Sequence, residues 1–491
     1  MELNNKNKRY FLKYILTLFT VFVLGMQSVP SQIAYDHITN KAVSVGSYGR
    51  IGVDWSIDDG RTIGRRLNLN NMGSIGGRME EQDYLEFAPS LQFKPQKGDS
   101  TSINMQLRLS IFSNSLTSFG NSTTSSLGGL TIAIPELFVQ ARNIRNTGIN
   151  FWIGSRLYRG PDVHIADHFY FNDHSGQGFG VEFRKTRLAA IFVTATDTTA
   201  TVPPYFYLNI KTGTPSTALR QRTVLITEHD ISFNKNNKIT LLGEYHRMPN
   251  ASSGNEKKID NGNEIKNETL LNFPSDYGFV LGARHHIDFT SIRKGSLNDF
   301  SIRYGTRIAN GGDGGISKTW ATFGAPDTLA FNFKGAYSLA IVNQSVINTS
   351  ENNTINPYVI YTQSKGAASE NGLSKTYFGK EVYNKKVDIT IGARNEYYFN
   401  DFFHLITELH YSQRKDGDNP IANMTKFTIA PVYVPTGQKS IWARPHMRFV
   451  ASIAKYNNYA KETMYSPYLQ FVGKKSWGTY FGVKTEWWLW N

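Results

Sequence analysis

The sequence predicts an all-β chain, a transmembrane antiparallel barrel. Three observations carry that prediction: stretches of about ten residues with a period of two, tight turns alternating with long polar connections, and a short apolar segment behind a basic N-terminus. The N-terminal segment comes first. Lys6, Lys8, Arg9 and Lys13 precede an apolar core from Ile15 to Gly25, which is too short to span a bilayer comfortably, and small residues follow. Residues 1–31 are therefore expected to be a cleaved export signal and residues 32–491 a single barrel domain. With Glu2 set against those four cations, removal takes +3 from the formal +14 and leaves a mature chain of about +11. Cys is absent, so disulfides and thiol chemistry are excluded, while Tyr (26), Phe (31) and Gly (42) lean the composition towards strands.

The strands follow in order. In "SYGRIGVDW", Ser47, Gly49, Ile51, Val53 and Trp55 oppose Tyr48, Arg50, Gly52 and Asp54. In "YLEFAPSLQF", Leu85, Phe87, Pro89, Leu91 and Phe93 oppose Tyr84, Glu86, Ala88, Ser90 and Gln92. In "WARPHMRFVASI", Ala443, Pro445, Met447, Phe449, Ala451 and Ile453 oppose Trp442, Arg444, His446, Arg448 and Val450, and a strand is expected from Trp442 onward. The final "WGTYFGVKTEWWLWN" sets Phe481, Val483, Thr485, Trp487 and Leu489 against Tyr480, Lys484, Glu486, Trp488 and Trp490. Side chains alternate across a strand, so each stretch has one greasy face and one that mixes charges with rings. On this reading Trp487 faces lipid, Trp488 faces the interior and Trp490 lies near a rim.

Between the strands, residues 115–129, 250–268 and 309–315 read as long polar loops. Short turns at one end, long loops at the other and an export signal describe a barrel of the Gram-negative outer membrane. About 460 residues suit roughly 16–18 strands. The aromatic excess then supplies interfacial girdles, and the positive charge suits anionic lipopolysaccharide at the rims or an electropositive lumen rather than nucleic acid.

The stretch 151–182, "FWIGSRLYRGPDVHIADHFYFNDHSGQGFGVE", resembles the maltoporin (LamB-type) family of carbohydrate porins. The resemblance lies in Trp152, Gly154, Arg156 and Tyr158, then Asp162, Val163 and His164, then Asp167, Phe169 and Tyr170, then Ser175, Gly176 and Gly178. "YGRIGVDW", "SIWARP" and "FGVKTEWW" are similar too. The resemblance implies 18 strands, a homotrimer, an inward-folded constriction loop, and passive diffusion of maltodextrin-like oligosaccharides along an aromatic slide with a flanking polar track. It places the slide at Tyr48, Tyr84, Phe169, Trp442 and Trp488, with Leu297 where the family has a ring and Phe119 as a candidate for the aromatic lent to a neighbouring subunit. It places the polar track at Arg50, Arg78 (after a two-residue shift), Glu86, Asp162 and Asp167. Family arginines fall at Pro135 and Gly160, although Arg159 is adjacent.

The alternative is a general or anion-preferring porin, suggested by Arg50, Arg444 and Arg448 on the inward parity. Asp162, His164 and Asp167 could hold a metal or perform acid–base work, but Asp-x-His spacing is common by chance. The pair His285–His286 is expected in the lumen or a loop. G-x-S-x-G, H-E-x-x-H and P-loop motifs are absent, so the chain is not expected to be an enzyme or to carry a cofactor or metal.

Overall fold

The computed structural model describes residues 42–57, 66–93, 98–113, 130–193, 206–209, 214–217, 222–249, 258–260, 263–265, 274–289, 293–311, 322–327, 329–330, 332–375 and 381–490. The expected export signal (1–31) and Phe119 lie outside these residues.

Eighteen strands form one closed antiparallel sheet. They are β1 (Val43–Trp55), β2 (Tyr84–Phe93), β3 (Ser102–Ser113), β4 (Leu130–Arg142), β5 (Ile149–Arg156) and β6 (Gly176–Phe183). Next come β7 (Thr186–Val193), β8 (Arg222–Asn234), β9 (Asn237–Met248), β10 (Asp276–Asp288), β11 (Leu297–Thr306) and β12 (Tyr337–Ser350). The circuit ends with β13 (Asn353–Lys365), β14 (Lys385–Tyr398), β15 (Phe403–Asp416), β16 (Ala422–Tyr433), β17 (His446–Tyr456) and β18 (Trp477–Trp490). Each strand pairs with its sequence neighbour. Closure is the β1–β18 ladder, from Gly46 opposite Trp490 to Trp55 opposite Phe481. Among the described residues, every strand of this sheet is paired on both sides, so the sheet has no free edge to meet lipid.

The connections sort by end. At one end are turns such as 184–185, 235–236 and 351–352; at the other are 157–175, 194–221, 249–275 and 307–336. Of the predicted loops, 115–129 lies outside the described residues, as do most of 250–268, where 258–260 pairs with 263–265, and most of 309–315; the strands that flank each of them end at the long-connection end.

Burial is inverted relative to a soluble protein. Ile51, Val53 and Trp55 on β1 and Phe427 and Ile429 on β16 are exposed, whereas Arg50, Asp54 and Lys426 on the alternate positions are buried. Such a continuous apolar exterior is tolerable only against acyl chains. Aromatics band both rims. Tyr397 lies 5.1 Å from Phe399 and Phe403 5.3 Å from Tyr433 at the short-turn end; Tyr277 lies 5.7 Å from Phe279 and Tyr304 6.4 Å from Tyr337 at the other.

Two connections pack against the inner wall. Leu67, Leu69, Met72, Ile75 and Met79 from 66–83, and Val163, Ile165, Tyr170 and Phe171 from 157–175, share one buried cluster with the inward Val280, Val342, Tyr358 and Ile360. Lys426 Nζ donates to Asn68 Oδ1 and Glu80 Oε2, each at 2.8 Å, and to the Gly77 carbonyl at 3.1 Å. Gln344 Nε2 of β12 donates to the Asp162 carbonyl at 2.7 Å.

One expected strand starts later than the alternation suggested. Residues 440–445 form a turn, with Ala443 N donating to Ser440 O at 3.0 Å, and β17 begins at His446. Pro445 has no N–H for the ladder, so pairing begins beyond it.

Candidate functional site

The period-two frame sends Tyr48, Tyr84 and Trp488 inward, and the 440–445 turn delivers Trp442 beside them. The rings form a row across five elements: β3, β2, β1, β18 and the 440–445 turn. Phe112 lies 6.2 Å from Tyr84, Tyr84 lies 5.7 Å from Tyr48, Tyr48 lies 6.4 Å from Trp488, and Trp488 lies 6.4 Å from Trp442 at an interplanar angle of 29°. Leu297 continues the row as an aliphatic side chain, packed with Trp442 against Val346, Tyr398 and Ile441. Phe112 was not singled out from the sequence, although it shares the inward parity of Arg108 and Ser110. Its neighbour in the register, Tyr84, was the usable signal.

The rings are not equally open. Tyr84, Trp442 and Trp488 are half-buried, but Tyr48 is only 8% exposed. Its hydroxyl accepts from Arg78 Nη2 at 2.6 Å and from Arg50 Nη1 at 3.0 Å, and donates to Glu486 Oε1 at 3.0 Å. Tyr48 is thus a fixed link between two open stretches of the row.

Glu486 is the hub of the ionic groups behind the rings. Its carboxylate meets Arg444 at 3.1 Å, Arg448 and His446 at 3.3 Å, and Arg78 at 3.4 Å. Arg444 also lies over the Trp488 ring at 4.6 Å. Arg50 and Arg78 share Glu81, at 3.0 and 3.2 Å. Glu86 accepts from Tyr84 and from Arg108 Nη1, the latter at 2.6 Å, and Arg108 reaches Glu136 at 2.7 Å. Charges buried this deeply need such partners. Glu81 and Glu486 were legible only as charges of the right parity or as loop residues.

On 157–175, Asp162 pairs across a short ladder with Phe169, and its carboxylate stands 3.8 Å from His164 Nδ1. His164 also contacts Arg78 Nη1 at 3.2 Å and Trp488 ring to ring at 5.2 Å. Burial, and then the Arg78 guanidinium, push His164 down to about 4, so its ring is neutral at ordinary pH. Asp167 is exposed at the left-handed position that ends residues 164–166 (φ 44°). Phe169 does not join the row. Its ring lies under the Arg159 guanidinium at 3.9 Å.

The two positions where the resemblance puts arginines both lie in locally constrained backbone. A Cβ at Gly160 would fall 1.8 Å from Asn172 Oδ1, so a side chain there would require Asn172, which donates to Glu228, to move. Pro135 lies in a bulge, where the β3–β4 register shifts between Arg108 and Ser110. Of the histidine pair, His286 faces inward onto Asp299 at 3.0 Å, while His285 takes the other face.

A family described as LamB porin matches residues 43–489, nearly the whole barrel. The chain belongs to the LamB porin family. It is a Gram-negative outer-membrane channel rather than an enzyme. Among solved structures, this LamB porin is similar to a Salmonella typhi OmpF complex with daunomycin at 9% identity and a TM-score of 0.38, covering 91% of this chain and 97% of that one. It is also similar to the outer-membrane channel DcaP of Acinetobacter baumannii at 10% identity and a TM-score of 0.38, with 92% and 99% covered. Vibrio cholerae OmpT carrying a loop deletion matches at 9% identity and a TM-score of 0.36, covering 91% and 100%.

Proposed function

We propose that this porin passes oligosaccharides of maltodextrin type by passive diffusion along the ring row from Phe112 through Tyr84, Tyr48 and Trp488 to Trp442. The observation that carries the reading is the row itself: rings on inward positions of separate elements, spaced 5.7–6.4 Å apart and backed by paired charges.

A sugar ring offers apolar C–H faces and a rim of hydroxyls. Covering about 50 Å² of such a face contributes about 1–1.5 kcal/mol. That is enough to draw a sugar on and too little to trap it, which conduction through successive sites requires. Tyr84, Trp488 and Trp442 would touch the sugar faces. Arg50, Arg78, Glu86, Asp162 and Asp167 would flank them as hydrogen-bonding groups, with Phe169 and the 157–175 segment forming the constriction. Leu297 would be a step that binds by contact area alone.

The same reading includes residues 1–31 as export signal, a homotrimer, and acyl chains and lipopolysaccharide against the outer wall. The second reading, a general or anion-preferring porin, draws on Arg78, Arg444 and Arg448 crowding one carboxylate. Titration of maltotriose onto the protein in planar bilayers separates the two. The sugar reading requires a current block that saturates; an unblocked current with a strong ion-selectivity potential favours the second.

A further inference from the structure

A cavity of about 300 Å³ lies in the bore away from the ring row. It sits beneath residues 157–161 and against the walls of β4 to β10, towards the short-turn end. Its lining mixes rings, Phe138 and Tyr158, with five cations and four carboxylates.

The carboxylates are already engaged. Glu136 accepts from Arg108 and from the Leu157 N–H at 3.0 Å. Glu228 accepts from Arg187 at 2.9 Å and from Asn172 at 2.5 Å. Asp230 takes both terminal nitrogens of Arg187, at 3.0 and 3.1 Å, and the Thr240 hydroxyl at 2.7 Å. Glu182 stands 3.5 Å from Arg156, whose guanidinium is itself ringed by Phe138, Trp152 and Tyr158 at 5.1–5.4 Å. Arg159 covers Phe169, and the nearby His286 is held by Asp299.

Two cations remain. Arg284 is 6% exposed, its Nε has no hydrogen-bond partner, and it rests against the Phe171 ring at 5.7 Å. Lys238 is half-buried and makes no direct ion pair among the described residues. Thr240 faces Arg284 across the β9–β10 ladder, so Lys238 and Arg284 stand on adjacent strands and line the same cavity. Asp230 and Asp299 lie close enough to act on the Lys238 charge, but among the described residues no carboxylate pairs directly with Lys238 or Arg284, and a buried guanidinium without a direct partner is costly unless an anion visits it.

We infer that Lys238 and Arg284 form an anion subsite of the bore for sugars bearing an oxyanion, a phosphate or a carboxylate, with the sugar ring lying towards Tyr158 and Phe138. The inference rests on the bore being the solute path proposed above. A wild-type channel that conducts ions and is blocked by glucose 6-phosphate but not by maltotriose would remove the ring-row reading and leave this subsite standing.

The test is single-channel block of the full-length protein by glucose 6-phosphate, by glucuronate and by maltotriose, in wild type and in the Lys238→Gln/Arg284→Gln double variant. The double variant is expected to weaken block by the anionic sugars about tenfold, the worth of one charged hydrogen bond. It should also shift the reversal potential away from anions and leave maltotriose block unchanged. Loss confined to glucose 6-phosphate assigns the site to phosphate; loss confined to glucuronate assigns it to carboxylate. Unchanged anion block in the variant, absence of anion block in the wild type, or an equal loss for neutral and anionic sugars overturns the inference. If the double variant fails to form conducting channels, Lys238→Gln alone is scored by the same criteria.

Discussion

Two walls of one bore are built on the same alternation and differ in what the inward positions hold. On β1, β2 and β18 those positions carry rings, and the charges stand behind them, gathered on Glu486. On β8, β9 and β10 they carry Glu228, Asp230, Lys238 and Arg284, and the rings nearby come from β4 and the 157–175 segment. The barrel frame therefore fixes where a side chain points and leaves the chemistry of each wall to local choice. The ring wall presents a continuous surface to neutral faces; the opposite wall presents discrete charges to discrete partners.

Perturbations that break this contrast differ in size. Glu486→Ala should have the largest effect. It leaves Arg78, Arg444 and Arg448 buried around an empty position and is expected to cost about 3–5 kcal/mol in denaturant unfolding of the detergent-folded protein. A loss below about 0.5 kcal/mol would mean the ring wall does not depend on this hub. Tyr48→Phe comes next. It removes a hydroxyl that receives two guanidinium bonds and gives one to Glu486, so the same assay should show a loss of about 1–3 kcal/mol with the ring row intact.

The pH dependence of the same unfolding transition has a defined sign. His164 is held near 4 against an ordinary value of 6.5, so the unfolded chain takes up that proton first. The stabilisation tied to the neutral ring is complete above pH 6.5 and is lost as pH falls towards 4. The unfolding midpoint should be flat from pH 7 to 8 and decline between 6.5 and 4, with His164→Gln removing part of that decline. An identical slope in the variant would separate His164 from the effect. The smallest change expected is a gain: Leu297→Phe adds a ring beside Trp442 and should tighten maltotriose block about threefold in bilayer recordings.

Much of this was legible in the sequence because period two is a geometric property of strands. Once Ile51, Val53 and Trp55 are assigned to lipid, Tyr48 and Arg50 have to face the bore, and the closing strand repeats the test with Trp487 and Trp488. Partner choice was not legible. Glu81 and Arg78 lie in a connection without periodicity, and their places near Glu486 depend on how 66–83 packs against β15 to β18. The start of β17 was misread because the alternation runs on through Pro445, whereas hydrogen bonding does not. Phe169 carried the motif position but lies under Arg159, a pairing created by the chain's return at Gly160 and Asn172.

The most direct test uses two adjacent tryptophans of β18. Trp488 stacks in the row, while Trp487 lies on the opposite face, packed over Gly49 with its Nε1 donating to Ser47 Oγ at 3.1 Å. In single-channel recordings with maltotriose, Trp488→Ala should weaken the block about tenfold while Trp487→Ala leaves it unchanged. Weakening by Trp487→Ala with Trp488→Ala silent would contradict the assignment of the ring-bearing face to the bore.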